Sequence, residues 1–212
     1  MQRIDTLPWP DLERELDEEG QVHVPGLLSA VECRDFAGVE LSAAGLPPWF
    51  GALRDALYAR LAPVADRWCA ALHRAQRHPG RYADFARLCR DAGQVREQSA
   101  ITRLRTGDYA ALRQHVEGDL LFPLEMTILL SAPGADFTGG EFALTEQRPR
   151  MQSRPIVVPL RRGDAVIFAV QHRPHRGPSG VFRVNLSHAV SRVRSGERLA
   201  LGLVFHGAPR AA

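Results

Sequence analysis

The sequence predicts an α+β fold: a helical N-terminal half, residues 1–98, packed on one sheet of a C-terminal jelly roll, residues 99–208. Three observations predict it. Before Ser99, apolar residues recur at steps of three and four, the period of a helix face. From Ser99 onward the period drops to two. There, Gly- and Pro-containing turns separate about seven or eight short apolar runs, a spacing that suggests a double-sheet barrel.

Taken in order, Asp5 to Glu19 is charged and amphipathic and stops at Gly20. Val22 to Gly26 is a short extended piece. Ser29, with Glu32 three residues on, has the form of a capping box opening a helix through Glu40. Gly45-Leu46-Pro47-Pro48 is a break. Leu53, Leu57, Leu61, Val64, Trp68 and Leu72 then mark one face of a helix over Trp49 to His78, which Pro63 should kink or split. Tyr82 to Ala92 is a further helix ending at Gly93. The predicted strands are Leu120 to Leu130, Glu141 to Leu144, Ile156 to Leu160, Ala165 to Val170, Val181 to Leu186, His188 to Val193 and Arg198 to Phe205. The helices should cover one sheet and leave the barrel mouth as the pocket.

Composition excludes several chemistries. The 27 basic residues are all arginine, so no Schiff-base lysine and no Gly-Lys-Ser/Thr phosphate loop can exist. A formal charge of +3, with the arginines spread along the chain, gives no strong nucleic-acid footprint. Cys33, Cys69 and Cys89 share no metal-ligand spacing and read as buried hydrophobes in a reduced compartment. The opening Met1 to Asp5 lacks a signal-peptide core, and no 18-residue apolar run occurs, so a cytoplasmic protein without a membrane span is expected.

The candidate chemistry lies between Ser187 and Leu199. If Arg194, Ser195 and Gly196 form a three-residue hairpin loop, Arg192 falls opposite Arg198 and His188 opposite Gly202. His188 and Arg198 then share one face of a sheet, with the small residues Ala200 and Gly202 beside Arg198. Leu199, Leu201, Leu203 and Phe205 take the other face. An arginine pointing into a barrel needs an anion, either a ligand or a protein carboxylate.

A histidine ten positions before an arginine on the last two strands resembles the iron(II)/2-oxoglutarate-dependent dioxygenases. Phe122-Pro123-Leu124, Phe137 to Phe142, Thr145 to Arg154, Gly163 to Val166 and Phe205 to Ala208 resemble one bacterial subgroup of that superfamily, labelled as nucleic-acid-modifying oxygenases. The resemblance spans about residues 93 to 208. The helical half fits more loosely and looks shortened around Gly45 to Trp49. It implies a cupin-like double-stranded β-helix, iron(II) and 2-oxoglutarate as cofactors, His188 as a metal ligand, and Arg198 as the clamp on the distal carboxylate of 2-oxoglutarate. A planar guanidinium suits that carboxylate.

The chain departs from the pattern where the subgroup carries its first two ligands, Tyr-x-x-Leu-His-Gln-Asp. Here the segment reads Tyr109-Ala110-Ala111-Leu112-Arg113-Gln114-His115. Arg113 stands at the histidine position and His115 at the aspartate position. Arginine stays protonated and cannot be a ligand. Three repairs are open. His115 binds metal from the aspartate position; or the segment slips by two, so that His115-Val116-Glu117 supplies ligands on the same face; or Asp119 completes a set with His115 and His188. The expected metal set is His115, His188 and Glu117, with His115 and Arg113 as catalytic candidates. The expected function is oxidation, by hydroxylation, of a substrate, with a small molecule favoured and a nucleic acid as the other partner. The alternative is a member without normal iron chemistry, in which Arg113, Arg198 and His115 line a pocket for an anionic ligand or for metal-independent catalysis.

Overall fold

In the computed structural model, residues 2–37, 48–178 and 180–210 are described. The break at Gly45-Leu46-Pro47 and the end of the helix toward Glu40 lie outside these residues. Five helices come first: α1 (Gln2–Asp5), α2 (Trp9–Glu19), α3 (Ala30–Ala37), α4 (Pro48–Ala71) and α5 (Tyr82–Asp91), with β1 (Gln21–Val24) between α2 and α3. The single helix expected over Asp5 to Glu19 is interrupted before Trp9, where Pro8 precedes the first turn of α2. Gly20 ends α2 in the left-handed conformation and returns its N–H to Leu16. The capping box is formed: Glu32 accepts from the Ser29 amide at 2.7 Å, and the Ser29 hydroxyl accepts from the Glu32 amide at 3.3 Å. Pro63 does not split α4, which is continuous from Pro48 to Ala71. No helix of the described residues is long and apolar enough to cross a membrane.

Ten strands follow: β2 (Ala100–Arg105), β3 (Ala110–Arg113), β4 (Leu124–Leu129), β5 (Phe137–Gly139), β6 (Phe142–Gln147), β7 (Arg154–Val158), β8 (Ala165–Ala169), β9 (His172–Gly177), β10 (Gly180–Val190) and β11 (Val193–Val204). They build two antiparallel sheets. The larger has the order β1-β8-β4-β11-β2 with β5 also on β11, and the smaller β3-β10-β6-β7 with β9 also on β10. This is the jelly roll that the strand spacing suggested, in the double-stranded β-helix form that the resemblance implied. One core cluster joins the helices to the outer face of the larger sheet through Leu57, Tyr58, Trp68, Met126, Ile128, Ile167, Leu201 and Leu203. A second fills the barrel interior with Leu104, Leu129, Phe142, Leu144, Val166, Phe168 and Val193.

The hairpin expected around Arg194-Ser195-Gly196 does not form. β10 lies in the smaller sheet and β11 in the larger, so the chain crosses from one to the other at Ser191-Arg192. The start of β11 pairs with β5 instead, with Gly196 opposite Phe137. Gly196 is at φ +76°, and a Cβ there would lie 2.0 Å from the Asp136 carbonyl oxygen. The glycine therefore serves this close strand approach, not a turn. His188 and Arg198 consequently belong to opposing sheets.

Candidate metal centre

Alternation of side chains along the strands decides what faces the barrel interior. In β4, Leu124, Met126 and Ile128 belong to the core under the helices, while Leu129 belongs to the interior core. Glu125 and Thr127 share the interior face with Leu129. In β11, Arg198, Ala200, Gly202 and Val204 line the same interior cavity. In β10, His188 sits opposite Arg113 of β3 on one side and Leu144 of β6 on the other.

His115, Glu125 and His188 come together there. Each offers a ligand atom, and the three atoms lie within 4.8 Å of one another. His115 Nδ1 donates to Glu125 Oε2 at 2.5 Å. His188 Nδ1 lies 3.1 Å from Glu125 Oε1, but the two are not aligned to hydrogen-bond, and both atoms are buried without a partner. Burial by itself would raise the Glu125 carboxyl. The hydrogen bond from His115 and the proximity of His188 outweigh it and hold the group at about 2. Glu125 is therefore an anion only 3% exposed inside a barrel. A carboxylate in such a place is costly unless cations or ligands compensate it.

The carboxylate at the centre is thus Glu125 and not Glu117. Glu117 is exposed on the loop after β3, just before Gly118 at φ +103°. Asp119 is exposed as well. The two-residue slip is also absent: Gln114, the neighbour of His115, donates to the carbonyl of Leu186 at 2.5 Å and to Asn185 Oδ1 at 3.0 Å, fixing the segment against β10. His115 occupies the inward position because His206 holds its backbone. Nε2 of His206 donates to the His115 carbonyl at 3.0 Å, and Nδ1 accepts from the Phe122 amide at 3.2 Å. Burial keeps this imidazole neutral, down to about 4, which suits one donor and one acceptor nitrogen. Gln94 ties down the rest of the loop by accepting from the Leu120 amide and donating to the carbonyls of Leu120 and Gly207.

Arg198 lies deeper, 1% exposed, with Nε donating to the Gly140 carbonyl at 2.9 Å. Among the described residues no carboxylate pairs with it, which disposes of the ion pair that the sequence left open. Burial pulls its guanidinium down to about 10, still charged at neutral pH. The cavity between the sheets is about 190 Å³ and is lined by Arg113, His115, Glu125, His188 and Arg198 together with small residues. Arg113, exposed at the β3 edge, reaches in to donate from Nε to His188 Nε2 at 3.2 Å. The centre can therefore offer two imidazoles and one carboxylate to a cation, and a guanidinium to an anion beside it.

Comparison with solved structures agrees on the fold. A 2OG-Fe(II) oxygenase-family oxidoreductase from Burkholderia pseudomallei superposes with a TM-score of 0.55 at 18% identity, covering 98% of this chain and 96% of that one. A prolyl 4-hydroxylase from Phytophthora capsici gives 0.57 at 17%, covering 98% of this chain and 65% of that one. At those identities the likeness is one of fold. In sequence, an uncharacterized protein of Mycobacterium tuberculosis is 43% identical over 156 residues, 74% of this chain and 67% of the relative. A family model described as "Oxygenase, catalysing oxidative methylation of damaged DNA" matches residues 39–208, and the chain belongs to that oxygenase family.

Proposed function

We propose that the protein is an iron(II)/2-oxoglutarate-dependent oxygenase whose metal ligands are His115, Glu125 and His188 and whose cosubstrate clamp is Arg198. The observation that carries this reading is the buried His-Glu-His group, in which Glu125 Oε1 and His188 Nδ1 lack hydrogen-bond partners. Two imidazoles and one carboxylate are the donor set that iron(II) oxygenases use, and three protein ligands leave positions for a cosubstrate. Iron(II) with 2-oxoglutarate and oxygen supplies the oxidising power to remove a hydrogen atom from a substrate. The chain's own part is positioning. Glu125 contributes the negative charge that Asp supplies elsewhere in the superfamily. His206 and Gln114 fix the loop that carries His115, and Arg198 offers a distal carboxylate a charge with no competing carboxylate among the described residues. Phe142 and Phe168, packed around His188, keep water from that side.

The alternative, an anion pocket without iron chemistry, draws support from the Arg113 contact with His188. Glu125 weighs against it, because a buried anion facing two imidazoles favours a cation. For the substrate, the sequence favours a small molecule. The family's description makes damaged DNA the first substrate to assay. Exposed Tyr109 and Leu112 on the β3 edge offer apolar surface to either.

The test is metal binding and turnover. The wild type should bind one Mn²⁺ or Fe²⁺ and release succinate from 2-oxoglutarate. Glu125→Gln and His115→Ala should lose binding by at least about tenfold, whereas Glu117→Gln should bind as the wild type does. Stoichiometric metal that survives Glu125→Gln, or that is lost in Glu117→Gln, would overturn this ligand set.

A further inference from the structure

This inference rests on the metal reading above and concerns Arg113, which the superfamily's ligand pattern does not include. A neutral imidazole has two nitrogens and one proton. Arg113 Nε–H donates to His188 Nε2 at 3.2 Å, so the proton of His188 sits on Nδ1, the atom 3.1 Å from Glu125 Oε1. In that form His188 has no lone pair to give: Nε2 is engaged by the guanidinium and Nδ1 carries hydrogen. A cation binding through Nδ1 must move the proton to Nε2, where it would face the Arg113 N–H. A cation binding through Nε2 must displace the guanidinium directly. Either way, metal at His188 and the Arg113 hydrogen bond exclude each other.

Among the described residues Arg113 has no carboxylate partner, and its acceptor is a neutral nitrogen. It lines the same 190 Å³ cavity as Arg198. A carboxylate entering that cavity is a better acceptor, since it adds the attraction of an anion for the guanidinium and can accept two parallel N–H bonds where one imidazole nitrogen accepts one. We propose that Arg113 is a latch on His188 that a small organic anion releases, so that metal and anion bind cooperatively. Because binding linkage is reciprocal, the anion should tighten the metal by the factor by which the metal tightens the anion.

The experiment titrates Mn²⁺ into the full chain by calorimetry, with and without glutarate, a dicarboxylate lacking the chelating keto group. A ¹⁵N NMR measurement of the His188 tautomer accompanies it. In the wild type His188 should carry its proton on Nδ1, and glutarate should tighten Mn²⁺ about fivefold or more. Arg113→Met, on an exposed edge strand, should keep the thermal midpoint, bind Mn²⁺ about fivefold tighter without glutarate, and lose most of the glutarate effect. A wild-type His188 protonated on Nε2 would overturn the latch. So would equal Mn²⁺ affinity in wild type and variant, or a glutarate effect that persists in the variant. Tighter Mn²⁺ with an unchanged tautomer would overturn it too, reducing Arg113 to a repelling charge. Failure of both proteins to bind Mn²⁺ at all would instead sink the metal reading, and the latch with it.

Discussion

Arg198 is 1% exposed, and its one hydrogen bond among the described residues goes to the Gly140 carbonyl. For a charge placed there to hold the fold together, a carboxylate would have to pair with it. None among the described residues does, and the proposed clamp on a ligand carboxylate would account for its burial. Two measurements separate these roles. Arg198→Met should weaken binding of 2-oxoglutarate by about 2 to 5 kcal/mol, while leaving the unfolding midpoint unchanged or raised, because the variant buries no unpaired cation. Unchanged 2-oxoglutarate affinity together with a lowered midpoint would make Arg198 structural. The sequence carried Arg198 and its small neighbours Ala200 and Gly202 plainly, since a period of two places them on one face. It did not carry Glu125. The carboxylates near His115 in sequence, Glu117 and Asp119, point elsewhere, and the one that meets both imidazoles lies on the next strand, ten residues on. The available signal was a lone carboxylate inside the apolar run Phe122 to Leu130, on a strand buried on both faces.

At the scale of elements, turns decide which sheet a strand joins, and Asp164 shows how one is held. Its Oδ1 accepts from the Gly26 amide at 2.8 Å. Its Oδ2 accepts from the Arg161 amide at 2.9 Å and from His23 at 2.9 Å. One carboxylate thus ties the turn before β8 to β1 and to the loop leading into α3. Gly163 beside it lies so close that a Cβ would sit 2.1 Å from the Leu28 carbonyl oxygen. Burial would raise the Asp164 carboxyl, but the two backbone hydrogen bonds and His23 outweigh it and set the group below its ordinary value. A depressed folded value means that the stabilisation is complete above the unfolded value and is lost as pH falls through the folded one. Asp164→Asn should therefore cost about 1 to 3 kcal/mol at neutral pH, read by urea denaturation. The gap from wild type should shrink as pH falls below about 4. A gap that stays constant or widens in acid would refute the assignment. The sequence leaves Gly163-Asp164 between the predicted strands Ile156 to Leu160 and Ala165 to Val170, but it misassigned Gly196. A glycine needed for a close approach between strands has the same signature as one needed in a hairpin, and only the pairing partner, β5, tells them apart.

For the whole molecule, the passage from helices to strands between α5, ending at Asp91, and β2, opening at Ala100, was legible because it is a change of period. How Arg173 is held beneath the end of α2 was not, because it turns on a buried ion pair within the smaller sheet, between β6 and β9. Glu146 of β6 is 2% exposed and Arg173 of β9 is 0% exposed. Glu146 Oε2 accepts from Arg173 at 2.6 Å, and Oε1 accepts from Arg148 at 2.9 Å. Burial would raise the Glu146 carboxyl, but Arg173 and Arg148 outweigh it and lower it. The stem of Arg173 passes under the end of α2, where a Cβ on Gly20 would lie 2.1 Å from its Cδ. Gly20 is therefore required both by the left-handed cap and by the arginine beneath it. Replacing one partner leaves the other buried and unpaired, which costs about 3 to 5 kcal/mol, whereas replacing both with apolar residues of similar volume is often neutral. Glu146→Gln should accordingly lower stability by about that amount in urea denaturation, and Glu146→Leu with Arg173→Met should recover most of it. The comparison isolates pairing from packing, because both arms keep the volume roughly constant. If the single variant cost less than about 1 kcal/mol, or the double variant were no more stable than the single, the pair would not be what holds Arg173 beneath the end of α2.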